Sequence, residues 1–414
     1  MSVTIPGAAS PFFVTIATSG TANSFASQTV ANLLASAMSA GSLNVQNFAG
    51  GVPPAPAGTV SELTVTVPGL SFTLPAGYQS LGIGDGSNAT VTGTAGAAIA
   101  AGDGLLTYTG VSGNQTVSGA GTSSAVLPIG STTFVAFGAG NDTIVSSGSG
   151  TLAGGGGNNF ISVQNAGVGT VNLVVSDGTD TIVAGAGTTT VAAYGAGISV
   201  QGGSGELVVG GSSTGNTTVN AASGPATIWG GAQGNLVNGA SGTVLFVGSA
   251  NSTSTVNGGS GAVTLFGAAG GDLRYDNASG TGSAVMAAFG GNETLNAAGS
   301  NVAVTLSAGS GNTTLIGGSA GDLLIGGTGS ASITSGAGSD TVVFYRGEAG
   351  GANLLSDFGT SDVLNLTGYG AGAAALAVAG ASVRAGGVTI TLSDATTITF
   401  QGISSLSGVR IASF

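Results

Sequence analysis

The sequence contains no cysteine, no histidine and no lysine. Thiolate nucleophiles, imidazole bases, Schiff-base lysines and Cys/His zinc sites are therefore excluded. No disulfide is available, so cysteine usage leaves the redox compartment open. Positive charge is scarce as well. Four scattered arginines, Arg274, Arg346, Arg384 and Arg410, face sixteen acids, giving a formal net charge of −12. A chain of this kind has no cationic cluster for phosphates, which excludes nucleic acid as a partner. Long hydrophobic runs are missing too. The nearest, residues 371–383, is mostly Ala and Gly and too short to span a bilayer, so a membrane-spanning chain is not expected. The opening MSVTIPGAASPFF has neither the basic n-region nor the apolar core of a secretory signal peptide.

What is present is small and β-branched. Glycine fills 81 of 414 positions and hydrophobic residues make up 42%. The mean hydropathy of +0.48 excludes the usual disordered composition, which is poor in hydrophobic residues. Glycine does not follow the every-third-residue period of collagen.

Internal repeats account for this composition. Short apolar runs bounded by Gly, Ser and Asn recur with centres at Ile144, Ile161, Ile182, Ile198, Val219, Val237, Val256, Arg274, Leu295, Leu315 and Ile333. Their spacing is about 19 residues. A second series lies between them, at Leu152, Val174, Val191, Val208, Ile228, Leu245, Leu265, Val285, Leu306, Leu324 and Val342. The first series is followed by an amide or acid (Asn220, Asn238, Asn257, Asp276, Asn296), the second by a large apolar residue (Trp229, Phe246, Phe266, Met286). A turn of about 19 residues with two short strands keeps these sets apart, whereas three strands per turn would mix them. The expected fold is all-β: a parallel β-solenoid of the β-roll type, with glycine at corners that need positive φ or close approach. Weaker matches at Val91, Ile99, Leu106, Val117, Val126 and Val135 extend the coil backward. Trp229, Phe246 and Phe266 are expected to form one core or edge stack. Asparagines at the corners (Asn141, Asn158, Asn216, Asn235, Asn251, Asn292, Asn312) are expected in left-handed conformation, and their amides can bond along the coil.

Three units run in register: Gly317-Gly-Ser-Ala-Gly-Asp322-Leu-Leu-Ile, Gly326-Gly-Thr-Gly-Ser-Ala-Ser-Ile-Thr, and Ser335-Gly-Ala-Gly-Ser-Asp340-Thr-Val-Val. A fourth match is Phe137-Gly-Ala-Gly-Asn-Asp142-Thr-Ile-Val. These units resemble the RTX, or haemolysin-type calcium-binding, repeat family, whose unit is G-G-x-G-x-D-x-U-x. The segment Leu355-Ser-Asp357-Phe-Gly-Thr-Ser-Asp362-Val-Leu-Asn-Leu is similar to the stretch that closes the roll in that family. The resemblance implies calcium held by turn carbonyls and stacked aspartates, with Asp322 and Asp340, one above the other, as the best site. Gly318, Gly336, Asp142 and Asp357 are the further candidate metal residues. It also implies export by a type I pathway from a C-terminal signal, without an N-terminal one, and hence an extracellular or cell-surface location. Most corners carry Asn instead of Asp, so calcium is expected mainly at the C-terminal end.

The ends depart from the repeat. Residues 1–58 read as a small α/β cap: strands at 2–5 and 12–18, Ser24 capping a helix from Phe25 to Ala40, Gly41 stopping it, and a proline-rich linker at 53–58. Val30, Leu33, Leu34, Ala37 and Met38 share one helix face. Residues 59–344 are the solenoid, and 345–414 a C-terminal β cap with a hairpin around Ser393-Asp394. The apolar N-terminal strands are expected to dock on a neighbouring subunit's end. Together these readings predict a non-enzymatic, self-assembling scaffold of a fibre, biofilm matrix or surface layer. The alternative is a monomeric calcium-dependent adhesin, with cell-surface polysaccharide as a possible partner. A polysaccharide-active β-helix enzyme ranks below both, because the acids lie at turns with no basic residue beside them.

Overall fold

The computed structural model describes residues 2–6, 13–17, 21–48, 50–128, 130–164 and 167–414. It is a parallel β-solenoid with two strands per turn, and the chain divides into two compact units, Met1–Gly215 and Asn216–Phe414. In each unit the two strands of a turn go to opposite sheets, here called I and II. Strands stack in register on the turns before and after.

The expectation of two sheets with separate chemistries holds because side chains alternate along each strand. In the second unit, Val219, Val237 and Val256 stack inward on sheet II. Ile228, Phe246, Leu265, Met286, Leu306 and Leu324 do so on sheet I. The register or face of several residues is corrected. Ile182 stacks on Val200, two residues beyond Ile198, and Tyr275, not Arg274, continues the column of Val256. On sheet I the inward residues are Val209, Phe246 and Met286, while Val208, Leu245 and Val285 face outward. Val126 is likewise outward, and Ala125 takes the inner column. Trp229, Phe246 and Phe266 are therefore not one stack. Phe246 is core, whereas Trp229 and Phe266 lie outside, where Phe266 stacks on Phe289 with centroids 5.3 Å apart.

Glycine serves closeness more than unusual dihedrals. Gly336 and Gly338 do have left-handed φ, +92° and +128°. In the column Gly224, Gly242, Gly261 and Gly282, however, a Cβ on each of the last three would sit 2.0 Å from the carbonyl oxygen of the glycine one turn earlier. No side chain fits there whatever its φ. Among the named corner asparagines only Asn251 is left-handed, at φ 58°. The others enter their strands with ordinary backbone, which corrects that expectation.

The N-terminal region folds onto its own unit. β1 (Ser2–Pro6) and β2 (Phe13–Ala17) form an antiparallel pair; Phe12 and Thr18, expected at the ends of the second strand, lie outside the described residues. α1 (Thr21–Ser39) starts earlier than expected, so Ser24 is inside it, and Gly41 with φ +66° ends it. Val30, Ala31 and Leu34 pack on Ala100, with Leu43 and Ala98 at the margin, whereas Leu33 and Met38 are exposed. A 19-residue helix is about 28 Å long, or about six rungs at ~4.8 Å. Accordingly α1 touches sheet I strands from 43–47 to 131–137. It is a lateral cover on the sheet's outer face, not a lid over the first rung. β1 and β2 likewise lie against α1 and the strands 78–83 and 98–101 of the same chain.

Parallel pairing begins before the proline-rich stretch, since β3 (Leu43–Asn47) already pairs with β4 (Val60–Val65). Residues 53–58 are thus a corner between two rungs, tied down by the Tyr78 hydroxyl donating to the Pro53 carbonyl at 3.0 Å. At the other end the expected hairpin is present. Strand Gly387–Thr391 pairs antiparallel with Thr397–Gln401, which joins sheet II beside Ala352–Leu355. The apolar run at 371–383 forms a two-turn helix, α2 (Ala373–Ala379), before this hairpin.

Candidate functional site

Every corner must satisfy backbone N–H groups that strand pairing leaves over. At several corners of this coil a polar side chain on a neighbouring turn accepts that N–H, at the C-terminal corners one turn later. The Asp322 N–H donates to Asp340 Oδ1 at 2.8 Å, the Val304 N–H to Asp322 Oδ1 at 2.9 Å, and the Asp340 N–H to Asp362 Oδ1 at 3.1 Å. Asp322 and Asp340 therefore stack as the repeat spacing requires, and Asp362 extends the column. It was hidden in the sequence because the 346–351 loop lengthens that turn from 18 residues to 22. The second oxygens also serve the corner: Asp322 Oδ2 accepts from the Gly318 N–H at 2.6 Å and Asp362 Oδ2 from the Gly359 N–H at 2.7 Å. Asp340 Oδ2 is buried and unpartnered among the described residues. Burial pushes the Asp340 carboxyl up to about 6, aided by the charges of Asp362 and Asp322.

Asp357 stands at the start of the same corner. It accepts from the Ser335 N–H and hydroxyl (2.7 and 3.1 Å) and from the Gly336 N–H (2.9 Å). The structure thus brings Asp322, Asp340, Asp357, Gly318 and Gly336 to one edge of the second unit. Asp142 lies in the first unit, in a separate stack. Its N–H donates to Asn159 Oδ1 at 2.8 Å, and the Asn159 N–H to Asp180 Oδ1 at 2.9 Å. Desolvation raises Asp142 to about 7.

Asn353 and Gln79 accept a backbone N–H from an earlier turn in the same way, donated by Ala331 and Ser61, while Asn88 accepts one from the next turn, donated by Leu105. Amide and carboxylate are interchangeable here because the task is to accept one N–H. The corner column can offer hard oxygens to a divalent cation, and the unpartnered Asp340 Oδ2 fits that role. Yet most carboxylate oxygens are already spent on N–H groups, and among the described residues no three acids converge as a ligand set.

Amide ladders are present, chiefly in a column other than the expected one. Asn238 Nδ2 donates to Asn220 Oδ1 and Asn257 Nδ2 to Asn238 Oδ1, both at 2.7 Å, along the outer face of sheet II. Asp276 continues the row and pairs with Arg274 at 3.3 Å. Of the corner asparagines, Asn312 reaches Asn292 at 3.2 Å, while Asn141 and Asn216 accept backbone N–H groups. Asn235 turns inward to Ser254 at 3.1 Å.

No protein-family model, no curated protein and no solved structure matches this chain. The likeness to the calcium-binding repeats therefore stands on the quoted residues alone.

Proposed function

We propose that this protein is an extracellular, non-catalytic scaffold that assembles with copies of itself and is partly stabilised by calcium at the 317–362 corner. The observation that carries this reading is the end of sheet I. Its last strand, Arg410–Ser413, has only Val363–Thr367 as a strand partner among the described residues. An unpaired strand edge is a template for adding another chain, and head-to-tail addition does not close on itself, so it extends into polymers. Electron micrographs of the purified chain, with calcium and with chelator, test the reading. Ordered polymers that shorten or loosen on chelation are expected; dispersed single particles in both conditions would overturn it.

Calcium carries its own expected result. Because burial raises Asp340 above its unfolded value, its stabilising contribution is complete below about pH 4 and is lost as pH rises through about 6. Asp340→Asn should therefore leave the metal-free unfolding midpoint at pH 8 unchanged or higher. Calcium should raise the midpoint of the natural chain and fail to raise that of the variant. Equal calcium responses would remove Asp340 from the site.

A further inference from the structure

Stacking reveals a period of two turns on the outer face of sheet I. In the second unit one outward column reads Thr227, Leu245, Thr264, Val285, Thr305, Leu323, Thr341, Val363, a strict alternation of threonine and bulky aliphatic over eight rungs. The first unit carries the same alternation in Thr116, Phe134, Thr151, Leu173, Thr190 and Val208. All of these side chains reach solvent. None is charged, in a chain of net charge −12.

We infer that this face of the second unit is the lateral contact between copies of the chain, with the bulky residues of one copy seated over the threonines of another. The inference rests on the self-assembly reading above and names its surface. Rungs about 4.8 Å apart put the aliphatic side chains ~9.6 Å apart, with gaps of equal period floored by threonine. An identical face displaced by one rung fills those gaps, as dry zippers do between stacked sheets. An open groove of about 560 Å³ runs across four of these rungs, taking in Val285, Thr305, Leu323 and Thr341, with Asp322 at its corner side. Charge selects the same occupant. Copies that repel through −12 net charge can approach where the surface is neutral, and the first charge in the column is Arg410, past Val363. Eight rungs of four-residue strands present about 500 Å² per copy, or about 1,000 Å² for a pair, the size at which specific contacts begin.

Sedimentation of the full chain over a concentration series tests this. Val285→Lys/Leu323→Lys should weaken self-association more than tenfold while leaving the circular dichroism spectrum and melting temperature unchanged. Mixing it with Val285→Glu/Leu323→Glu should restore association. Val285→Thr/Leu323→Thr, which keeps the face neutral but flattens it, should also weaken association, and it serves if the charged variants fail to fold. Variants that associate like the natural chain would overturn this face and leave the scaffold reading standing on another contact. A natural chain that stays monomeric up to its solubility limit would overturn both.

Discussion

Glu62→Met is expected to stabilise the first unit by several kcal/mol at pH 8.5 and to change it by less than about 1 kcal/mol at pH 5. Glu62 lies on β4, in register between Val45 and Ser80, fully buried, with both carboxylate oxygens unpartnered among the described residues. The one ion pair found among the described residues is Arg274–Asp276, so among them no cation offsets the cost of its charge. Desolvation raises the carboxyl from 4.5 to about 8. The native state thus holds its proton more tightly than the unfolded chain. Stability is complete below pH 4.5 and declines as pH rises through about 8. A shift of that size corresponds to about 5 kcal/mol at most, at 1.36 kcal/mol per unit. Methionine has similar volume and needs no proton, so the variant should lose this pH dependence. Denaturant titrations of both proteins at pH 5 and 8.5 measure it directly. A natural chain as stable at pH 8.5 as at pH 5, with no gain from the variant, would show that the carboxylate is accommodated as a charge.

Phe246→Ala and Leu245→Ala, one residue apart, should have opposite standing. Phe246 is fully buried in the inner column between Ile228 and Leu265. Its truncation should cost about 3–5 kcal/mol, because lost transfer energy and a residual cavity add. A solenoid core is only one side chain deep per rung, and each rung leans on its neighbours, so the loss is not spread over a large interior. Leu245 faces outward between Thr227 and Thr264. Truncating it should cost under about 1 kcal/mol in the monomer. Urea unfolding of the two variants decides the register. Equal costs, or a larger one for Leu245, would place sheet I one residue out.

The coil was legible because its signals are local. Two strands per turn follow from alternation along a strand and from Gly and Asn at its ends, and both are readable within ten residues. The Asp322–Asp340 stack was legible for the same reason, since their turn has the regular spacing. Asp362 was missed because the inserted loop broke that spacing, and Glu62 because nothing around it in the sequence marks a buried acid. The amide ladder was expected at corner asparagines but lies chiefly in Asn220, Asn238 and Asn257. Only a column whose amides stand directly above one another from turn to turn can bond along the coil.

By itself, then, the sequence determined the repeat, the two-strand turn, the parallel stacking and the corners, because each depends on short-range spacing and backbone preference. The tertiary structure alone decided which residues face inward. A one-residue slip exchanges the two faces of a strand, and the register of each rung is set by corners that vary in length. Val208, Leu245, Arg274 and Val285 were misplaced for that reason, whereas Ile198 is inward but two residues from the expected column. The same registers placed α1 along the side of sheet I, buried Glu62, and aligned threonines with aliphatic residues into a column that no window of the linear sequence displays.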